Sequence, residues 1–368
     1  MRAVVVGAGI MGLSIAYNLA KRGAEVVVLE SRYPGSGLSV RAIGALHTQW
    51  DNEHDIKLAK LNRDILERLS GVLNFNIPFR QDGYLALATD GEQLAYLRKF
   101  AKLQKSMGID TTFLLPDEIA RRYPIIETSS IVGGTLSKGD GSVHPFSLVF
   151  GYWNGLMEHG GKLVRPTLVK GLHPRSREIY AVETDQGIYE VDEVIISAGV
   201  GTRGILQSVG LDVPTVIVRH EMLATEPLRF FLKPMIELYP NRLYVNQSLR
   251  GEILCHIPRP DPEPKDTKST LEFLQDAATE LTQILPSLRT AKVLRSWAGL
   301  VETTPDSEPI CGNIGYDNLW IALGDSGKGL MLAPLIGELL SEAITTGEPN
   351  ADLLSYSPPI IVTEGRTE

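Results

Sequence analysis

Cysteine is scarce in this chain, with two among 368 residues, Cys255 and Cys311, and their separation matches no metal-ligand spacing. That excludes a disulfide-built scaffold and a thiolate metal centre, and reads as two buried, reduced thiols in a cytoplasmic protein. Runs of basic residues are missing too, and the formal net charge is −8, which argues against nucleic acid as the main partner. No uninterrupted apolar stretch reaches the roughly 18 to 20 residues that cross a bilayer, so no transmembrane segment is expected. Internal repeats and low-complexity tracts are also lacking. What the chain does have is 43% apolar residues and 35 glycines, enough core for two domains and enough glycine for close backbone turns.

The most informative glycines lie in the first thirty residues. Val4-Val5-Val6 reads as a strand, Gly7, Gly9 and Gly12 form G-x-G-x-x-G, and Ile10, Leu13, Ala16, Tyr17 and Ala20 recur at helical spacing before a second strand, Glu25 to Leu29. Gly7 permits the turn, Gly9 lets backbone approach a pyrophosphate, and Gly12 lets the helix pack on the strand. The helix start at Ile10 and Met11 then faces phosphate charge. Glu30 is placed to accept from a ribose hydroxyl, and its charge disfavours NADP. A signal peptide would also begin with Arg2 and an apolar stretch, but it leaves the glycine spacing and the immediate second strand unexplained.

Next, Ser31 to Gln49 is too long for an ordinary connection and too patterned for a linker, so it reads as a ligand-wrapping segment. Helices are expected over Ile56 to Leu69, Leu94 to Met107, Pro116 to Arg121 and Pro145 to His159, with strands at Gly83 to Thr89 and at Gly133 to Val143, the latter interrupted by the turn Lys138-Gly139-Asp140-Gly141. Strands Lys162 to Val169, Glu178 to Thr184 and Gly187 to Glu190 lead into Glu193 to Ser197, which ends at Ala198-Gly199. From Pro214 the pattern turns antiparallel, with strands at Val216 to Thr225, Leu243 to Asn246, Glu252 to Ile257 and Ala291 to Leu300 and a helix over Thr270 to Leu285.

A second strand, glycine turn and helix follow near the far end: Leu319 to Leu323, then Gly324-Asp325-Ser326-Gly327-Lys328-Gly329, then Leu330 to Ile344. One such turn suffices for NAD. A flavin must be held at both ends, and an anionic reduced ring needs the positive potential of a helix start and a lysine, so the second turn shifts the expected ligand to FAD. Lys328 at a positive helix end calls for a compensating anion, read as the flavin or a substrate carboxylate.

These stretches together resemble the flavin-dependent amine oxidase superfamily of D-amino acid oxidase, glycine oxidase and sarcosine oxidase. The resemblance rests on Val4 to Glu30, Ile195 to Gly199, Trp297 to Leu300 with Thr304-Pro305-Asp306, and Gly324 to Pro334. Gly83-Tyr84-Leu85, Asp306-Ser307 and Gly329 to Pro334 look closest to the β subunits of heterotetrameric sarcosine oxidase and dye-linked L-proline dehydrogenase. It implies an α/β, two-domain fold. A Rossmann-type FAD domain with a glutathione reductase-like βαβ unit would take residues 1–77, 138–214 and 300–368. A substrate domain on a large mixed or antiparallel sheet would take 78–137 and 215–299.

The implied chemistry is oxidation of the C–N bond of a small amino acid or N-alkyl amino acid of proline, sarcosine or glycine type, with hydride passing to flavin N5 and the imine hydrolysed. Expected FAD contacts are Gly7, Gly9, Ile10, Met11, Gly12, Glu30, Ser31, Arg32, Ser36, Gly37, Ser39, Arg41, Ala42, Gly44, Ala45, Leu46, Val169, Ala198, Gly199, Gly324, Gly327, Lys328, Gly329 and Leu330. Monomeric sarcosine oxidases carry a flavin-linked cysteine shortly before Thr-Pro-Asp. Gly299 and its neighbours stand there, so non-covalent FAD is expected. Where related subunits place an arginine six residues after Arg41, this chain has His47.

His47 is therefore a candidate carboxylate anchor as imidazolium, or acceptor of a substrate proton. Tyr244 falls where glycine oxidase-like relatives touch substrate. Arg219, His220 and Arg259 are weaker candidates, and Trp297 reads as core. Two other readings stand beside this one. The first is a 2-hydroxy acid dehydrogenase of the same fold. The second is a flavin-carrying subunit active only in a hetero-oligomer, for which Phe230-Phe231-Leu232 and Pro358 to Val362 offer apolar surface. Partners are thus a small amino acid, an electron acceptor that is oxygen or a dye-like or quinone carrier, and possible homo- or hetero-oligomer copies.

Overall fold

The computed structural model describes residues 1–240, 242–261, 264, 266–358 and 361–362. The Arg259 side chain and the Pro359-Ile360 part of the apolar tail lie outside that description, as does part of the proline-rich segment before Lys268.

Valine-rich strands that are apolar throughout need cover on both faces, and they form a parallel sheet. Its order is Ile310–Asn313, Leu319–Leu323, Glu193–Ile196, Arg2–Val6, Glu25–Leu29, Lys162–Val164, parallel except for the first, edge strand. Helix Ile10–Lys21 lies against helix Gly329–Thr346, so closely that a Cβ on Gly337 would come within 2.1 Å of Ser14 Oγ.

Pro334 inside that second helix brings no N–H of its own, and the next amide, Leu335 N, donates to the buried Asn62 Oδ1 at 3.0 Å. The helix is long and apolar enough to cross a membrane by length and composition, contrary to the sequence expectation. However, 78% of it is buried inside the protein, which makes it core here.

The second sheet has the order Val293–Thr303, Val216–Thr225, Ile253–Asp261, Leu243–Gln247, Met235–Leu238, Tyr84–Ala88, Gly133–Ser137, Thr111–Leu114. It is antiparallel apart from Met235–Leu238 beside Tyr84–Ala88, hence mixed. Alternation gives it two faces. Leu85, Leu87, Val245 and Cys255 point one way, into a core closed by Phe273, Ala277 and Leu281 of helix Leu271–Ile284. Tyr84, Ala86, Met222 and Met235 point the other way, toward Ile43 and Ala45 of the wrapping segment.

Gly133 to Val143 breaks at its expected turn, and the two halves part: Gly133–Ser137 belongs to the large sheet and Gly141–Val143 pairs with Ala45–Leu46. One expectation changes. Strand Met235–Leu238 was not expected at all, and in the adjoining run Leu232 is fully buried while Phe230 stays exposed under the Arg80 guanidinium, 4.6 Å from its ring.

Candidate active site

Three neighbouring strands of the parallel sheet end side by side, in Gly7, Ser197 and Gly324. Ligands of such sheets bind at these carboxyl ends. Gly7 has φ +106°, and a Cβ there would strike the Ser197 carbonyl at 2.3 Å. One on Gly12 would strike the Gly7 carbonyl at 2.2 Å. The helix that starts at Ile10 has no side-chain cap and no acid in its first turn, and Ile10 N donates to Ser39 Oγ at 3.0 Å. Helix Gly329–Thr346 has no acid in its first turn, but the Asp325 carboxylate lies just before it and accepts from the Gly329 backbone. Gly324 and Gly327 adopt positive φ, Gly329 leaves room for the Asp325 carboxylate, and Asp325 accepts from Gly327 N at 2.9 Å.

Two helix starts, with glycine where a Cβ would fill the approach, fit the diphosphate at one end of FAD and the pyrimidine side of its ring at the other. Glu30 is 7% exposed and already holds donors: Arg32 N at 2.8 Å and the Ser31 and Ser36 hydroxyls on Oε1, Ala8 N at 2.9 Å on Oε2. Oε2 keeps capacity for a further hydroxyl. Val169 is buried on the neighbouring sheet excursion, and Ala198 N donates to Thr202 Oγ1, with Gly199 at φ +54°.

The wrapping segment is pinned from both sides. Arg41 donates to the Ser36 and Gly37 carbonyls, and the Trp297 indole donates to Arg41 O at 3.2 Å. Asn246 Nδ2 donates to Ile43 O at 3.0 Å. Gly44 sits at φ +85° against the Val143 carbonyl, next to the Ala45–Leu46 strand, and Ala42 leads into it.

His47 lies between two rings, Trp50 at 4.6 Å and Tyr84 at 4.5 Å between centroids, and its Nδ1 has no partner. Burial, aided by Lys328 nearby, pushes its pKa down to about 3. Between these rings it is neutral at neutral pH in the chain alone. Lys328 finds its anion within the chain: Nζ is 2.5 Å from Glu308 Oε1 and 4.7 Å from the Trp50 ring centroid. The compensating charge therefore need not come from a flavin or substrate.

Tyr244 sits on the sheet face toward the wrapping segment, directly opposite Glu237 and His256, and its ring stacks on His256 at 5.9 Å. Burial lowers the pKa of His220 and takes that of His256 down to about 4. Arg219 is engaged by Asp261 at 3.1 Å and Asp266 at 3.4 Å. Sequence reasoning missed Trp50, Tyr84, Glu237, His256 and Glu308. An acid inside the apolar run Met235–Leu238 was a usable signal for Glu237; nothing local pointed to Glu308 as the partner of Lys328.

The profile of the DAO family, described as FAD dependent oxidoreductase, matches residues 2–343. The chain is 28% identical to dimethylglycine dehydrogenase, mitochondrial, of Rattus norvegicus over 96% of its own length but 44% of that protein's. It is thus under half the length of that relative. To sarcosine oxidase subunit beta of Rhizobium meliloti it is 25% identical, covering 96% of this chain and 86% of the relative. The solved L-proline dehydrogenase from P. horikoshii superposes with a TM-score of 0.92 at 30% identity, covering 97% of this chain and 96% of that one.

Proposed function

Because the chain belongs to the DAO family of FAD-dependent oxidoreductases, we propose that it oxidises the C–N bond of a small amino acid or N-alkyl amino acid of the proline, sarcosine or glycine type. The carrying observation is the pair of glycine turns leading into helix starts, Ile10 and Gly329, at the same end of one parallel sheet. When bound, FAD supplies a two-electron hydride acceptor at N5; the chain supplies binding, orientation and electrostatics.

In this reading Gly7, Gly9, Gly12 and Glu30 hold the adenosine and diphosphate part, residues 36–46 follow the ring, and Gly324 to Leu330 hold its pyrimidine side. The large sheet closes over the substrate with Tyr244 and His256 and keeps water from the reacting carbon. Lys328, at the start of the second helix, enters the site as an ion pair with Glu308 and offers its remaining N–H donors. Non-covalent attachment is supported by the position of both thiols, since Cys255 faces the core away from this surface and Cys311 is fully buried. Those free thiols also support a cytoplasmic setting. The name sarcosine oxidase subunit beta favours action within a hetero-oligomer.

Product analysis tests the reading. Incubation with an artificial electron acceptor should yield formaldehyde from N-methyl amino acids or a cyclic imine from proline. Turnover of 2-hydroxyglutarate to a keto acid, with no amine consumed, overturns it in favour of the hydroxy acid alternative.

A further inference from the structure

The second glycine turn brings a cation to the site, and a carboxylate meets it there. Lys328 stands just before helix Gly329–Thr346, with its Nζ 4.7 Å from the Trp50 ring centroid and 2.5 Å from Glu308 Oε1. Its charge also reaches His47, at the end of the wrapping segment. Both partners are largely enclosed, with side chains 14% and 29% exposed, and charges so placed are screened less than in water.

Stability alone does not account for Glu308. Its Oε2 is enclosed with no donor, so Lys328 is the one group its carboxylate binds among the described residues. Asp55 and Asp306 press on it with like charge. A half-satisfied, crowded carboxylate costs folding free energy. What it does there is cancel the charge of Lys328.

That cancellation matters beside a flavin. Hydride transfer brings two electrons and one proton to bound FAD, which adds one negative charge to it. A lone cation near the ring stabilises that charge, and a neutral pair does so far less. We propose that Glu308 sets the reduction potential of the flavin, holding it low by neutralising Lys328. The inference rests on the reading that places Gly324 to Leu330 at the pyrimidine side of the ring. Glu308 is a positioning residue here, acting through Lys328.

A charge cycle on the holoprotein tests it, read by anaerobic titration of the midpoint potential against a reference dye and by spectral titration with sulfite. The sulfur lone pair of sulfite forms a bond to flavin N5 while the N5=C4a electron pair moves into the ring, which becomes anionic. At about pH 8.5, well above the ordinary carboxylate range, Glu308→Gln should favour the reduced flavin by at least about tenfold. That is a rise of about 30 mV for two electrons, and sulfite should tighten by a similar factor. Lys328→Met should shift both the other way, and the double variant should return them close to wild-type values. No rise in Glu308→Gln, or a rise that survives in the double variant, overturns the proposal. If Glu308→Gln does not fold, Lys328→Met decides: weaker sulfite binding supports the proposal, and unchanged or tighter binding overturns it. Failure of the amine-oxidising reading looks different, since then FAD and sulfite bind and no amine bleaches the flavin. A chain that takes up no FAD overturns both.

Discussion

His47 and His256 show how strongly surroundings override residue type. Each would sit near a pKa of about 6.5 in a free chain, yet burial takes them to about 3 and about 4. Their neutral forms therefore stabilise the fold fully above about pH 6.5, and that contribution is lost as pH falls toward those values, by up to about 1.4 kcal/mol per pH unit for each. His47→Gln should accordingly flatten the loss of stability between pH 6.5 and 4 in urea unfolding; an unchanged slope means that the imidazole is hydrated. At this scale sequence pattern placed Gly12 and Glu30, whose neighbours lie within thirty residues, and Gly7, whose turn is local although the carbonyl it makes room for is that of Ser197. It did not find Glu308 for Lys328 or Glu237 for Tyr244, because those partners are set by strand pairing.

Elements were most legible where backbone chemistry is local. Both glycine turns and the helices after them lie where expected, and helix Glu53–Val72 extends three residues beyond the expected 56–69 at each end, capped by Asn52 accepting from Asp55 N. Strand Met235–Leu238, four residues long and holding an acid, was missed although it forms a hairpin with Leu243–Gln247; its other partner, Tyr84–Ala88, lies some 150 residues earlier. Two substitutions test the elements. Gly12→Ala puts a methyl 2.2 Å from the Gly7 carbonyl, so it should cost about 1–3 kcal/mol and release FAD during gel filtration; a variant that keeps its flavin shows that the turn can shift. Asn62→Ala leaves the Leu335 amide without its acceptor and should cost about 1–3 kcal/mol, read as a lower urea midpoint.

Across the whole molecule, the parallel sheet draws strands from both ends and the middle of the chain, while the large sheet uses segments 84–137 and 216–303. The cofactor site therefore exists only once the two termini have met, and its three strand ends have closed. Non-covalent binding predicts that acid precipitation leaves all flavin in the supernatant; yellow protein in the pellet would show a covalent link. The measurement that bears most directly on the central claim is an anaerobic titration of the purified protein with sarcosine, proline and glycine, following visible flavin absorption. The expected result is bleaching by at least one of these amines to the extent of one flavin per chain. A chain that binds no flavin, or a flavin reduced by a 2-hydroxy acid and by none of the amines, would contradict it.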